Sequence, residues 1–578
     1  MNFLNPIFTE KAECQDCYKC VRECPVKAIK VEGGHAEVMK DHCIYCGHCV
    51  EVCPVGAKRV REDLARVKQL LKLKEKVIAS IAPSFISEYP ELRPAQMVCA
   101  LKKLGFYGVS ETALGAQNVS ACVAMMLSGE DSGVHISSAC PTVVEYIKKY
   151  KPELSGYVTK LLSPLLSHCK LLKKLYGDDT GIVFIGPCIS KKKEAGAHQN
   201  LLDIAITFED LCRWFEEEGI DPEQMQDTKA DVFIPHTAKE GALYPVDGGM
   251  IAGIKANCTT KEAAFMTFSG IKNFKDMLNG LNQLNTDSNI FIELLSCEGG
   301  CINGPKTKKR SSTVVKRFRV INNAQYPENE IPRKPDVDIS ADILINAISI
   351  RDYADSDIRS VLRSIGKFAL KDELNCSGCG YDTCKEFACA LLDGKAEKTM
   401  CVSYMRKLAQ NKANALIKTM PSGVVIVDEK LKIIECNLNF AKIFGKDVEA
   451  VFDAKPGMEG AALEKIVPFH NLFKDVLETG KELIGKLVRY KMSVLSASIF
   501  SIEPNSIVGA VIQDITVPSV RKEQIIHKTQ QVIRKNLATV QKIAYLLGEN
   551  ASETEVILNS ITESFLPQHI NENGKNNE

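Results

Sequence analysis

The residues best equipped for chemistry in this 578-residue sequence are its 23 cysteines, and their spacing is not random. Cys14, Cys17, Cys20 and Cys24 run into Pro25; Cys43, Cys46, Cys49 and Cys53 repeat that spacing and run into Pro54. Three closely spaced thiolates can wrap one face of an iron-sulfur cubane, and in two-cluster arrangements of this kind the fourth Cys serves the other cluster. One ligand set is then Cys14, Cys17, Cys20 and Cys53, the other Cys43, Cys46, Cys49 and Cys24. Zinc is the competing reading, but zinc thiols usually lack the third Cys and the Cys-Pro ending. Cys140, Cys188, Cys297 and Cys301 each stand beside Pro or Gly, and Cys376, Cys379, Cys384 and Cys401 form a further group. In that last group zinc stays open, because its spacing is less distinctive. Cys99, Cys122, Cys169, Cys212, Cys258 and Cys389 read as packing residues, since a free Cys behaves as a small hydrophobe.

The elements that must position these thiols follow from length and pattern. The length asks for several domains. Lys plus Arg total 73 against 72 Asp plus Glu, a net charge of +1, which argues against a mainly electrostatic nucleic-acid or membrane-surface binder. No apolar stretch approaches the roughly 18 residues of a membrane span, and the first residues lack a secretory design. Clustered thiols in such a chain point to metal in the cytoplasm rather than to a disulfide scaffold. From Lys76 to Pro305, short apolar runs alternate with helical segments, the pattern of an α/β domain. Val77–Ala82 ends at Pro83-Ser84, Val134–Ala139 at Cys140-Pro141, Ile182–Gly186 at Pro187-Cys188, and Ile290–Leu295 just before Cys297 and Cys301. Ligands of open α/β sheets bind beyond the carboxyl ends of strands, so four thiolates arriving there could hold one cubane. Gly299 and Gly300 are expected to let the backbone approach a bulky cofactor. Arg61–Lys76 reads as a helical connector, Lys306–Asp338 as a boundary, Asp338–Leu370 as helical and Ala409–Thr419 as a second connector. In the tail, two short strands, a helix from Asn437 and longer strands from Leu483 to Thr516 precede an amphipathic stretch, Val520–Leu547. His527 lies in that stretch without a convincing phosphoacceptor setting, and Cys436 and His470 are assigned no cofactor. Asn571–Glu578 is expected to be disordered.

The first block resembles a two-[4Fe-4S] ferredoxin domain. The order Ser-Ala-Cys140-Pro, Pro-Cys188-Ile-Ser-Lys191-Lys-Lys-Glu194 and Cys297-Glu-Gly-Gly-Cys301-Ile-Asn-Gly304 resembles the three signature loops of [FeFe]-hydrogenases. That resemblance implies an H-cluster, a [4Fe-4S] cubane joined through one Cys sulfur to a diiron unit bearing CO, cyanide and azadithiolate. It implies Cys140, Cys188, Cys297 and Cys301 as cubane ligands, Cys301 as the bridge, Lys191 as hydrogen-bond donor to an iron cyanide, and Ala82, Pro83 and Ser84 as the lining of the diiron pocket. An open iron would act as Lewis acid toward H2 while the bridging amine takes the proton. Cys376–Cys401 resembles a small helical [4Fe-4S] domain, making four such clusters, and 413–517 resembles a PAS domain ending in Asp514-Ile515-Thr516. The expected fold is thus multidomain α/β and α+β: ferredoxin fold at 1–62, [FeFe]-hydrogenase domain at 76–335, extra 4Fe-4S domain at 368–405, PAS at 413–517, and a C-terminal helical coupling or dimerisation region at 518–568.

The match departs from efficient members of the family at particular residues. Their first loop carries a proton-relaying Cys where this chain has Ala139, and a methyl group neither donates nor accepts a proton. Gly186 stands where they have Met and is expected to leave more room beside the diiron unit. Thr112 and Gly115 follow Glu111 where carboxylates are sought, and Gly304-Pro305 replaces a glycine-rich run. The leading expectation is reversible, low-turnover H2 oxidation and proton reduction coupled to H2 or redox sensing through PAS. It implies a ferredoxin-like electron carrier, maturation proteins, a homodimer, and a signalling partner such as a kinase or phosphatase; no nucleic acid and no membrane are expected. The competing readings are a non-catalytic iron-sulfur electron relay without the diiron subsite, and an ordinary catabolic hydrogenase.

Overall fold

The computed structural model describes residues 5–129, 133–257, 263–284, 288–308, 311–327, 329, 331, 333–349, 351–516 and 531–540. The chain forms two units, Met1–Met400 and Cys401–Glu578. Among the described residues no helix is long and apolar enough to cross a membrane.

The first unit begins with short elements. Strand Ile7–Thr9 pairs antiparallel with Lys58–Val60, and Ile29–Glu32 with His35–Val38. Two five-residue helices, Lys19–Glu23 and His48–Val52, lie between them. Both helices start from a left-handed residue, Tyr18 and Gly47, which turns the chain sharply after the first Cys pair. Helix Leu64–Leu73 is the expected connector.

Two parallel sheets follow. In the larger, the strand order is Gly108–Glu111, Val77–Ile81, Gly181–Gly186, Ile204–Thr207. In the smaller it is Ala264–Ser269, Ile290–Leu295, Val134–Ile136. Four of these seven strands are fully buried apolar runs with a lone polar residue at most, as a parallel sheet covered on both faces requires. Their carboxyl ends converge, and that convergence makes the site. The stretch 340–349 is not helical as expected. It lies extended against the α/β domain, with Ala341 N donating to Lys160 O and Ile348 N to Lys149 O, so its backbone groups are satisfied by a neighbour and not by a helix. Only Asp355–Ser364 forms the helix of that region, and the supposed boundary after Lys306 holds helix Thr313–Asn323.

The second unit is a five-stranded antiparallel sheet ordered Ile433–Cys436, Gly423–Val427, Ile507–Asp514, Ser493–Glu503, Leu483–Tyr490. Helices Leu438–Phe444, Lys446–Ala454 and Asn471–Thr479 join it, and Phe440, Phe444 and Phe473 anchor one core with the sheet. Asn437 caps the first helix and donates to three carbonyls of Ile417, Met420 and Ser422, locking helix Val402–Thr419 to the sheet. Of the region 518–568, only the helical residues 531–540 are described; His527 and Asn571–Glu578 lie outside the described residues, as does Cys258.

Candidate metal-cluster site

Cys140, Cys188, Cys297 and Cys301 line one cavity of about 110 Å³. Cys140 follows strand Val134–Ile136, Cys188 follows Gly181–Gly186, and Cys297 and Cys301 follow Ile290–Leu295. Ala82, Pro83 and Ser84, at the end of Val77–Ile81, close another wall. Burial pushes the Cys297 and Cys301 thiols far up, and the neighbouring thiols, Cys188 and Cys140 among them, add to it. Burial likewise pushes Cys188 up to about 11. Bare thiols so placed keep their protons; a polycationic iron-sulfur core would displace the protons and offset the mutual repulsion, so the donor set fits such a group. Among the described residues no three His, Cys, Asp or Glu side chains close on a single metal ion.

Lys191 reaches the same cavity from helix Ser190–Ala197. Its ammonium pairs with Glu194 at 2.6 Å and donates to Ser163 Oγ at 3.3 Å. Burial works against that charge, but Glu194 outweighs it and holds the group protonated. The next residue points the other way: Lys192 is buried between Asp63 and Asp210, at 3.2 Å from each, and so fixes the rotation of the helix that aims Lys191. Ser84 Oγ is buried in the cavity wall with no hydrogen-bond partner among the described residues.

One expectation is corrected, at Gly186, and two more glycines gain a packing reason. Gly186 leaves no extra room: a Cβ there would stand 2.5 Å from Phe184 Cζ and 2.8 Å from Ala82 Cβ, because the Phe184 ring has taken the space. Gly300, at φ +101°, is required by the protein itself, since its Cβ would stand 2.3 Å from Pro245 O. Gly115 is more than a missing carboxylate: a Cβ there would lie 2.1 Å from Pro164 O, so the close packing of helix Ala113–Leu127 on Pro164–Tyr176 admits no side chain. Glu111 is buried, accepts from Ala238 N at 2.7 Å, and is pushed by burial up to about 7. Ala139 lies on the cavity wall.

Two features escaped the sequence reading. Glu293 also lines the cavity; its carboxylate accepts from Gly248 N at 2.9 Å and Met250 N at 3.2 Å, and burial pushes it up to about 7. A lone acid inside the apolar run Ile290–Leu295 was the available signal. His168, fully buried, bonds Ser80 Oγ through Nδ1 and Ser110 Oγ through Nε2, both at 2.8 Å, pinning two adjacent strands just behind the cavity. Thr112 donates its hydroxyl to Ile81 O, so Ser80 must donate to Thr112 and His168 Nδ1–H to Ser80. Burial pushes His168 down to about 3, which keeps this directed chain neutral.

In the N-terminal block Cys20 lies among Cys17, Cys14 and Cys53, and Cys49 among Cys46, Cys43 and Cys24. Cys46 also borders the cavity beside Cys297. Gly47, at φ +81°, makes this approach possible, since a Cβ would stand 2.7 Å from both Ile189 and Pro305. Of the later group, Cys376 and Cys379 lie on the loop before helix Cys384–Leu392, where Cys384 N donates to Asn375 Oδ1 at 2.7 Å. Cys401 is the first residue of the second unit. Cys169 and Cys436 are buried packing residues; Cys99, Cys122, Cys212, Cys389 and His470 are partly exposed.

Family models match in the same order. Residues 75–305 match the C-terminal domain of the iron-only hydrogenase large subunit, 6–54 a 4Fe-4S dicluster domain, 372–403 an Fe-S cluster model and 411–484 a PAS domain. Iron hydrogenase 1 of Clostridium pasteurianum is 25% identical over 299 residues, 42% of this chain and 52% of that protein, so this chain spans about half the length of that relative. The periplasmic [Fe] hydrogenase large subunit of Nitratidesulfovibrio vulgaris is 26% identical over 360 residues, 51% of this chain and 84% of that protein. The cytosolic Fe-S cluster assembly factor NAR1 of Encephalitozoon cuniculi is 36% identical over 84 residues, 14% of this chain and 22% of that protein.

Proposed function

Because the chain is an [FeFe]-hydrogenase-like iron-sulfur protein with ferredoxin and PAS domains, we propose that it oxidises H2 and reduces protons reversibly at low turnover, and that its PAS region converts the outcome into a signal. One observation carries this reading: four thiols, a charged lysine and the Ala82-Pro83-Ser84 turn face one buried cavity. In this reading Cys140, Cys188, Cys297 and Cys301 would hold a cubane, and Cys301 would also link it to a diiron unit with CO, cyanide and azadithiolate. When bound, that group supplies the open iron and basic amine that split H2.

The protein's own part is positioning and exclusion. Lys191, kept charged by Glu194, offers an ammonium to an anionic ligand. Ser84 holds a hydroxyl ready in the same wall. Phe184 and Ala82 exclude water where Gly186 lies. At Ala139 the wall presents a methyl group and can pass no proton, which makes proton delivery the slow event and suits a detector better than a bulk producer. The two N-terminal thiol sets and the Cys376, Cys379, Cys384 and Cys401 set hold the remaining three [4Fe-4S] clusters, serving a ferredoxin-like carrier. A kinase or phosphatase reads the PAS signal from a cytoplasmic homodimer that depends on maturation proteins for its diiron unit.

Infrared spectroscopy tests the reading: after maturation, the protein should show bands of iron-bound CO and cyanide that shift under H2. A second reading, an electron relay holding cubanes alone, is favoured by the Lys191–Glu194 pair, which satisfies the ammonium within the protein. Matured protein with full cubane iron and no such bands would establish the relay.

A further inference from the structure

The Cys376–Cys384 loop is seated directly on the N-terminal block. Gly380 has φ +95°, and a Cβ there would stand 2.8 Å from Val21 Cγ1 and 3.1 Å from Arg22 N, so backbone meets helix Lys19–Glu23 with no side chain between them. Arg22 Nη1 donates to Gly378 O at 3.4 Å. Two more bonds extend the seam: Val31 N to Lys395 O at 2.9 Å and Gly33 N to Glu397 Oε1 at 2.6 Å. Tyr381, the next residue, is 4% exposed, and its hydroxyl has no hydrogen-bond partner among the described residues. An unpaired buried hydroxyl is unfavourable, and packing against Phe387 at 5.8 Å needs only the ring.

We propose that the Cys376–Cys384 group exchanges electrons directly with the cluster held by Cys24, Cys43, Cys46 and Cys49, across the Gly380–Tyr381 contact. That cluster then becomes a branch point. On one side Cys46 borders the strand-end cavity beside Cys297; on the other, helix Lys19–Glu23, which Cys24 follows directly, meets Gly380. The inference rests on the reading that both groups hold [4Fe-4S] clusters. In the step, one electron leaves the reduced cluster of the N-terminal block and enters the oxidised cluster of the later group; no bond forms or breaks and no proton moves. The later group therefore samples how reduced the N-terminal block is, and not the cavity itself.

The test is electron paramagnetic resonance on the full-length, cluster-loaded protein, reduced in steps, with iron counted per chain. As the later cluster takes up its electron, the signal of the Cys24 cluster should split or relax faster, while that of the Cys14 set changes less. In a Cys379→Ser/Cys384→Ser variant, iron should fall by one cluster and the splitting should be lost. Tyr381→Phe, which keeps the ring, should retain it. If the unmodified protein holds the later cluster by iron count but the two spins relax independently at every potential, the wiring is overturned and the cluster assignment survives. If the double variant keeps all its iron, the assignment fails and the wiring falls with it. The first arm needs no variant, so a misfolded one leaves the question decidable.

Discussion

The N-terminal block and the strand-end cavity hold thiols in opposite ways. The block takes eight from the span Cys14–Cys53 and frames them with strands of three or four residues and helices of five. The cavity takes four from the much longer span Cys140–Cys301 and frames them with seven parallel strands backed by an extensive apolar core. A frame so short has little apolar surface to bury, so metal binding must supply much of its folding free energy. The larger frame stands on its own hydrophobic core, and its wall residues can change without loss of fold. Ala139 and Phe184 show that freedom used: both belong to the cavity wall, and neither carries protons.

The sharpest way to break this comparison is to remove the iron. In protein prepared without clusters, hydrogen exchange should show amides of Ile29–Val38 and Lys58–Val60 losing nearly all protection, while those of Val77–Ile81 and Ile182–Ile185 keep theirs. Equal loss in both regions would show that the cavity frame also depends on its metal. The next largest effect concerns the wall. Ala139→Cys supplies a proton carrier, a function typically worth about 10²–10⁴-fold in rate, and should raise H2 turnover of matured protein by about 100-fold. Unchanged turnover in fully loaded variant would remove proton delivery at residue 139 as the limit.

How much was legible in the sequence follows the same division. The local thiol groups could be read from spacing alone, because thiols so close in the chain stay close in the fold. The strand ends could be read from apolar runs that stop at Pro, Gly and Cys, because parallel sheets align their carboxyl ends. Occupancy of space could not be read. Gly186 suggested a void, but Phe184, two residues earlier and on the same face of its strand, turns into it. His168 reads as one polar residue in an apolar helix, and only the fold shows that its two ring nitrogens bridge two strands. Asp338–Leu370 carried a helical pattern, and over residues 340–349 backbone partners at Lys149 and Lys160 replace the helix.

Glu111 sharpens the comparison from inside the larger frame. Its carboxyl is raised from 4.5 to about 7 by burial, so it is protonated when folded and ionised when unfolded between those values. The unfolded state then binds fewer protons, and stability falls as pH rises through that window, being fully present below about 4.5. The size is about 3 kcal/mol. Urea unfolding of the α/β domain should therefore show a midpoint falling from pH 4.5 to 7, and Glu111→Gln should reduce that slope, leaving the share of Glu293, which burial also raises to about 7. A slope unchanged by the substitution would place the titration elsewhere.

The smallest effect is expected at a cysteine that neither frame uses. Cys389 lies on helix Cys384–Leu392, five residues after Cys384, with its thiol partly exposed. Burial raises that thiol against the opposing charge of Lys385, and its place on the helix, off the loop that carries Cys376 and Cys379, leaves it outside the expected ligand set. A surface-side truncation of this kind usually stays within about 0.5 kcal/mol. Cys389→Ala should keep the same iron content and unfolding midpoint as the parent, whereas Cys384→Ala, whose buried residue opens the same helix, should lose one cluster's iron. Loss of iron from the Cys389 variant would mean that helix register, and not loop spacing, selects the ligands of this group.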